Sequence, residues 1–112
     1  MGETVNRAVF TLRNVGGRPT PEVTVTGEID VSNADDFAQS VGALPGGRPI
    51  ILALSRLQYL DSAGFAALDR LLAQGTAVVV ISPESLVHKA AELINLPFHH
   101  DAETARQVLQ QG

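Results

Sequence analysis

The chain contains no cysteine and no tryptophan in 112 residues. The missing thiols exclude disulfides, a thiol nucleophile and thiolate zinc sites together, and the composition is compatible with the cytoplasm. Aromatic residues make up only 4%, and the formal net charge is −4. A nucleic-acid reader needs a basic face and rings on which bases stack, so both values argue against that role. The acidic balance also disfavours a polybasic membrane patch. Long hydrophobic runs are missing as well. The longest, Ala77-Val78-Val79-Val80-Ile81 and the equally long Ile50 to Leu54, have only the length of a strand, against the ~18 apolar residues of a membrane span. Met1 to Arg7 lacks the apolar stretch of a signal peptide.

What is present reads as alternating strands and helices. Ala8 to Leu12 and Val23 to Thr26 alternate weakly and are expected to form an antiparallel pair across a turn at Gly16-Gly17-Arg18-Pro19. Gly27 is expected to end the second strand. Ser32 or Asn33 caps a first helix with Phe37, Val41 and Leu44 on its apolar stripe, and Pro45-Gly46-Gly47 stops it. Pro49 to Leu54 reads as a buried strand, followed by a loop at Asp61, a helix from Phe65 to Leu72 and a stop at Gln74-Gly75. Ala77 to Ile81 is a further buried strand. A helix starting at Ser82-Pro83-Glu84-Ser85 is expected to turn Leu86, Ala90, Leu93 and Ile94 to one face. A last helix from Asp101 to about Gln110 is expected to turn Ala105, Val108 and Leu109 inward. This order predicts an α/β fold: one domain over residues 1–112, core at about 8–109, with a mixed sheet of about four strands and helices packed against it.

The densest cluster of chemistry is Leu60-Asp61-Ser62-Ala63-Gly64. A hydroxyl where a helix begins, beside a carboxylate and small residues, is either a cap or a presented phosphate acceptor. Asp61 is the better candidate for the cap. Ala63 and Gly64 would let another protein's backbone come close to Ser62. Asp30 reads equally as a turn residue and as a functional one.

Gly27-Glu28-Ile29-Asp30, followed by a helix and then Leu54-Ser55-Arg56-Leu57-Gln58-Tyr59-Leu60-Asp61-Ser62-Ala63-Gly64, resembles the STAS family. The name stands for sulfate transporter and anti-sigma factor antagonist, and the similarity is to the small bacterial anti-sigma factor antagonists. It runs from about Val23 to Val108. The resemblance implies a non-enzymatic binding module without a cofactor. It implies phosphorylation at Ser62 by a partner that is both anti-sigma factor and serine kinase, and reversal by a PP2C-type phosphatase. The unphosphorylated form would bind the anti-sigma factor and release a sigma factor. Asp30, Asp61, Ser62, Ala63, Gly64 and Phe65 would form the partner-binding surface. The family also admits a non-phosphorylated scaffold or transporter-associated subunit, and a nucleotide-sensing module.

Other chemistry has little local support. Ser62 lies outside any Gly-x-Ser-x-Gly elbow, and Gly16-Gly17 and Gly46-Gly47 lack phosphate-loop spacing. His99-His100-Asp101 places adjacent side chains without a third ligand at a metal-binding spacing, so no metal is expected.

Overall fold

The computed structural model describes residues 8–17 and 20–111. Arg18 and Pro19 of the expected first turn lie outside the described residues, as do the first seven residues and Gly112. The elements run β1 (Phe10–Gly16), β2 (Glu22–Ile29), α1 (Ala34–Gly42), β3 (Ile50–Ala53), β4 (Leu57–Leu60), α2 (Ser62–Ala73), β5 (Ala77–Val80), α3 (His88–Leu93) and α4 (Ala102–Gln111). The sheet is mixed, with β1 antiparallel to β2 and all other pairings parallel. Its order is β1-β2-β3-β5, and β4 pairs with β2 beyond the end of β3.

The sheet has five strands, where the sequence suggested about four. The additional strand, β4, sits in the stretch that reads as a loop. Its partner is the far half of β2, which runs through Gly27 to Ile29 instead of ending there. Gly27 makes that continuation possible. It sits at φ +97°, the register shifts beside it, and a Cβ there would overlap the carbonyl oxygen of Val9. β3 and β4 therefore form one interrupted line along β2, broken at Leu54–Arg56. There Leu54 N–H donates to Val80 O (2.8 Å) and Leu57 N–H donates to Leu54 O (3.0 Å).

Parallel pairing puts like-numbered neighbours on one face, so the register sorts the core. Val23, Leu52 and Val79 lie across from one another and face α1, α2 and α3. Phe37 of α1, fully buried, meets Phe10 edge to face at 5.5 Å. On the opposite face Ile51, Val78 and Val80 pack against Ala102, Ala105 and Leu109 of α4. That helix covers β3 and β5, touches β2 only through Arg106 at Glu22, and leaves the rest of β1 and β2 uncovered on this side. Their outward rows are Thr11, Arg13 and Val15, and Thr24 and Thr26.

Helix ends follow local chemistry. Gly75, at φ +72°, closes α2: its N–H donates to Leu72 O, and Thr76 N–H donates to Leu71 O. Asn95, at φ +59°, plays the same part after α3, with Leu96 N–H donating to Ala91 O. Asp101 caps α4 by accepting from Thr104 N–H at 2.7 Å, and that bond holds its carboxyl below the usual carboxylate value.

The third helix departs most from the expected pattern. It begins at His88, because Ser82 to Val87 is taken up by turns, with Ser85 N–H donating to Ser82 O and His88 N–H to Ser85 O. Its inward residues are Val87, Ala91 and Leu96. The expected inward residues Leu86, Leu93 and Ile94 are 76%, 73% and 49% exposed. Val108 of α4 likewise faces outward while Ala105 and Leu109 turn in.

Candidate functional site

The site grows from the last rung of the β2–β4 ladder. Ile29 pairs with Leu60, and Asp61 N–H donates to Ile29 O at 3.3 Å. Both strands end there, so the two loops that follow, one starting at Asp30 and the other at Asp61, leave the sheet side by side.

Asp61 is the N-cap of α2. Its backbone is extended, its Oδ1 accepts from Gly64 N–H at 3.1 Å, and its carbonyl accepts from Phe65 N–H at 2.9 Å. Capping is thereby done by the carboxylate. Ser62, the first helical residue, is exposed. Ala63 is half-buried against the core, whereas Gly64 and Phe65 are buried. A Cβ on Gly64 would overlap Leu60 Cδ1 and lie 3.1 Å from Ile29 Cγ2. Gly64 thus serves close packing of α2 on the sheet, inside the molecule. Phe65 reaches the surface only as part of a cleft.

That cleft has a volume of about 440 Å³ and opens beside Ser62. Leu60, Phe65, Ala66 and Ile94 supply its apolar lining, and Asp61 and Asp69 stand with Ser62 around it. The outward turn of Ile94, unexpected from the sequence, is what brings α3 into this wall.

Asp30 begins the neighbouring loop. Its Oδ1 accepts from Ser32 Oγ at 2.5 Å and from Ser32 N–H at 2.8 Å. The hydroxyl bond first, and then the backbone bond, hold the Asp30 carboxyl below its usual value. Asn33 does more than the ordinary cap that the sequence suggested. It occupies the N-cap position of α1 without a side-chain capping bond. Its Nδ2 donates to Ala8 O (2.9 Å) and Glu28 O (3.0 Å), and its Oδ1 accepts from Asp30 N–H (2.9 Å). Asn33 is buried. It ties the Asp30 loop to the N-terminal segment and to β2. No local pattern signals this role, because its carbonyl partners lie 25 and 5 residues away in sequence.

The histidines do not join this site. His88 packs edge to face on Phe98 (5.3 Å) and near His100 (5.9 Å), and His99 bridges to β5 through its backbone. Among the described residues no three His, Asp or Glu side chains are grouped to hold a metal ion. Among the same residues no helix is long and apolar enough to cross a membrane.

A family model described as "Mlab, STAS domain" matches residues 16–97. The chain belongs to the STAS family. The five-stranded mixed sheet and its helices are those of a STAS domain. The crystal structure of an anti-sigma factor antagonist from Mycobacterium paratuberculosis is similar to this STAS domain, with a TM-score of 0.70 at 21% identity. The match covers 91% of this chain and 95% of that one. No curated protein sequence matches the chain.

Proposed function

We propose that this STAS domain is an anti-sigma factor antagonist whose binding is switched by phosphorylation of Ser62. One observation carries the reading. Asp61 performs the capping, which leaves the Ser62 hydroxyl exposed at the first position of α2, on the rim of an apolar cleft. The partner is an anti-sigma factor with serine-kinase activity, and a PP2C-type phosphatase reverses the modification. Asp30, Asp61, Ser62 and Ala63 form the contact surface, with Phe65 as the cleft floor and Gly64 setting the position of the helix beneath it.

The helix N-terminus tolerates a phosphate locally, since free N–H groups and positive partial charge lie there. The switch acts at the interface and needs no refolding. A phosphate brings about −1.5 to −2 charges at neutral pH. One new like-charge pair at ~6 Å and an effective dielectric of ~20 costs roughly 3 kcal/mol, or about a hundredfold in affinity. Steric exclusion at the cleft mouth adds to this.

The test is intact-mass analysis after incubation with ATP and each candidate anti-sigma kinase, with Ser62→Ala alongside. The expected result is one phosphate on the wild type and none on the variant, with Ser62→Ala binding constitutively and Ser62→Asp weakly. Equal binding of both variants would sink the charge-exclusion mechanism. STAS membership also admits a second reading: a non-phosphorylated, transporter-associated interaction subunit. Stable partner binding with no labelling of Ser62 by any candidate kinase would select it.

A further inference from the structure

The open half of the sheet carries a second site. We propose that Arg13 and Arg56 bind the phosphate of a small, hydroxyl-bearing phosphorylated molecule. The proposal is independent of Ser62. It starts from topology: α4 packs on β3 and β5 and reaches β2 only where Arg106 meets Glu22, so the row Thr11, Arg13 and Val15 of β1 is exposed and Thr24 and Thr26 of β2 are only half-buried. Register sets Arg13 directly across from Thr24, and Thr11 across from Thr26, whose hydroxyls bond to each other. The break between β3 and β4 then brings a second guanidinium to this face. Arg13, Arg56, Thr24 and Thr26 line one hollow of about 240 Å³.

The other arginines that the structure describes are engaged. Arg48 donates to Gly42 O and Leu44 O, Arg70 pairs with Asp35, and Arg106 holds Thr20 O and Glu22. Among the described residues Arg13 and Arg56 have neither a carboxylate nor a carbonyl partner. Two uncompensated cations in one hollow are notable in a chain of net charge −4. Guanidinium forks match a phosphate's oxygens in pairs, and the Thr24 hydroxyl is an added donor.

A second hollow of about 450 Å³ adjoins the first and shares Thr26 and Arg56 with it. Ser55, Gln58, Glu84 and Ser85 line it. These groups suit hydroxyls. Glu84 repels a phosphate and accepts from a sugar hydroxyl, which fixes the direction of the ligand: phosphate towards Arg13, hydroxyls towards Glu84. No aromatic ring lines either hollow, so the polar groups carry the recognition.

Calorimetric titration at low salt, with glucose 6-phosphate, adenosine monophosphate, inorganic phosphate and glucose as probes, tests the site. Saturable binding of at least one organic phosphate, tighter than inorganic phosphate and absent for glucose, is the expected result. Its preference between the sugar phosphate and the nucleotide assigns the source of the phosphate. Arg13→Gln and Arg56→Gln should each weaken binding about tenfold. Lys89→Gln, which removes the same charge from α3, should leave it unchanged. Both arginines are exposed, so the variants should fold, and unaltered melting temperatures check this. No saturable binding of any phosphate, or binding unaffected by both arginine variants, would overturn the proposal. Inorganic phosphate binding as tightly as the organic phosphates would overturn the role of the second hollow.

Discussion

Replacing Gly64 by alanine should destabilise this protein, although it improves the helix. Two effects oppose each other. Alanine is favoured over glycine inside a helix by up to about 1 kcal/mol, partly because glycine loses more backbone freedom on folding. Against this, the new methyl would overlap Leu60 Cδ1 and crowd Leu60 Cγ at 3.3 Å and Ile29 Cγ2 at 3.1 Å. Ile29 is fully buried, and Leu60, although it lines the cleft, is only 8% exposed, so the crowding is relieved only by shifting packed side chains. Overpacking of this kind typically costs about 1–3 kcal/mol. The crowding wins by about 1 kcal/mol. Gly42 is the matched control. It ends α1, is exposed, and a Cβ there meets nothing within 4 Å. Gly42→Ala should gain about 0.5–1 kcal/mol, so the two variants should differ by about 2 kcal/mol. Urea unfolding followed by circular dichroism reads this directly. With a slope of about 1–3 kcal/mol per molar, Gly64→Ala should lower the midpoint by roughly 0.3–1 M and Gly42→Ala should raise it. A Gly64→Ala midpoint at or above the wild-type value would refute the packing argument.

Three further outcomes follow from the site. Asp61→Ala should cost about 1 kcal/mol through loss of the α2 cap, and Asp61→Asn, which can still accept from Gly64 N–H, should recover most of it in the same unfolding assay. Asn33→Ala should cost about 2–3 kcal/mol, because Ala8 O, Glu28 O and Asp30 N–H lose their partner together. Asn33→Asp should be no better, since a carboxylate cannot donate to two carbonyls. Ser32→Ala should raise the Asp30 pKa towards its ordinary value, as read by NMR titration of the side chain. Asp30 is depressed in the fold, so its contribution is present above the unfolded value and is lost as pH falls through the folded one. The variant should therefore lose less stability over that acid range than the wild type.

The sequence showed the strand–helix order and the capping role of Asp61 because both rest on local rules. Continuous apolar runs mark β3 and β5, and a carboxylate before a periodic segment marks a helix start. β4 escaped because Gln58 and Tyr59 are exposed in its middle. Only pairing with β2 makes a strand of it. The face of α3 was misread for a related reason. Leu86, Leu93 and Ile94 have helical spacing, but turns before His88 rotate the short helix so that Val87 and Ala91 take the core. The importance of Asn33 was hidden in contacts that no local pattern encodes. Asp30 and Asp61 lie 31 positions apart, and their proximity was legible only through the STAS resemblance.

The break at Leu54–Arg56 has a consequence for how this chain can change in length. β2 sets the register of β4, while β2 and β5 together set that of β3. An added residue at Ser55 or Arg56 is taken up as slack, and Ser62 keeps its height relative to Asp30. The same addition between Leu57 and Leu60 would turn the strand over and send Leu57 or Leu60 to the wrong side of the sheet. Slack that spares Ser62 would carry Arg56 away from Arg13. A single insertion can therefore separate the two sites, abolishing one and leaving the other in place.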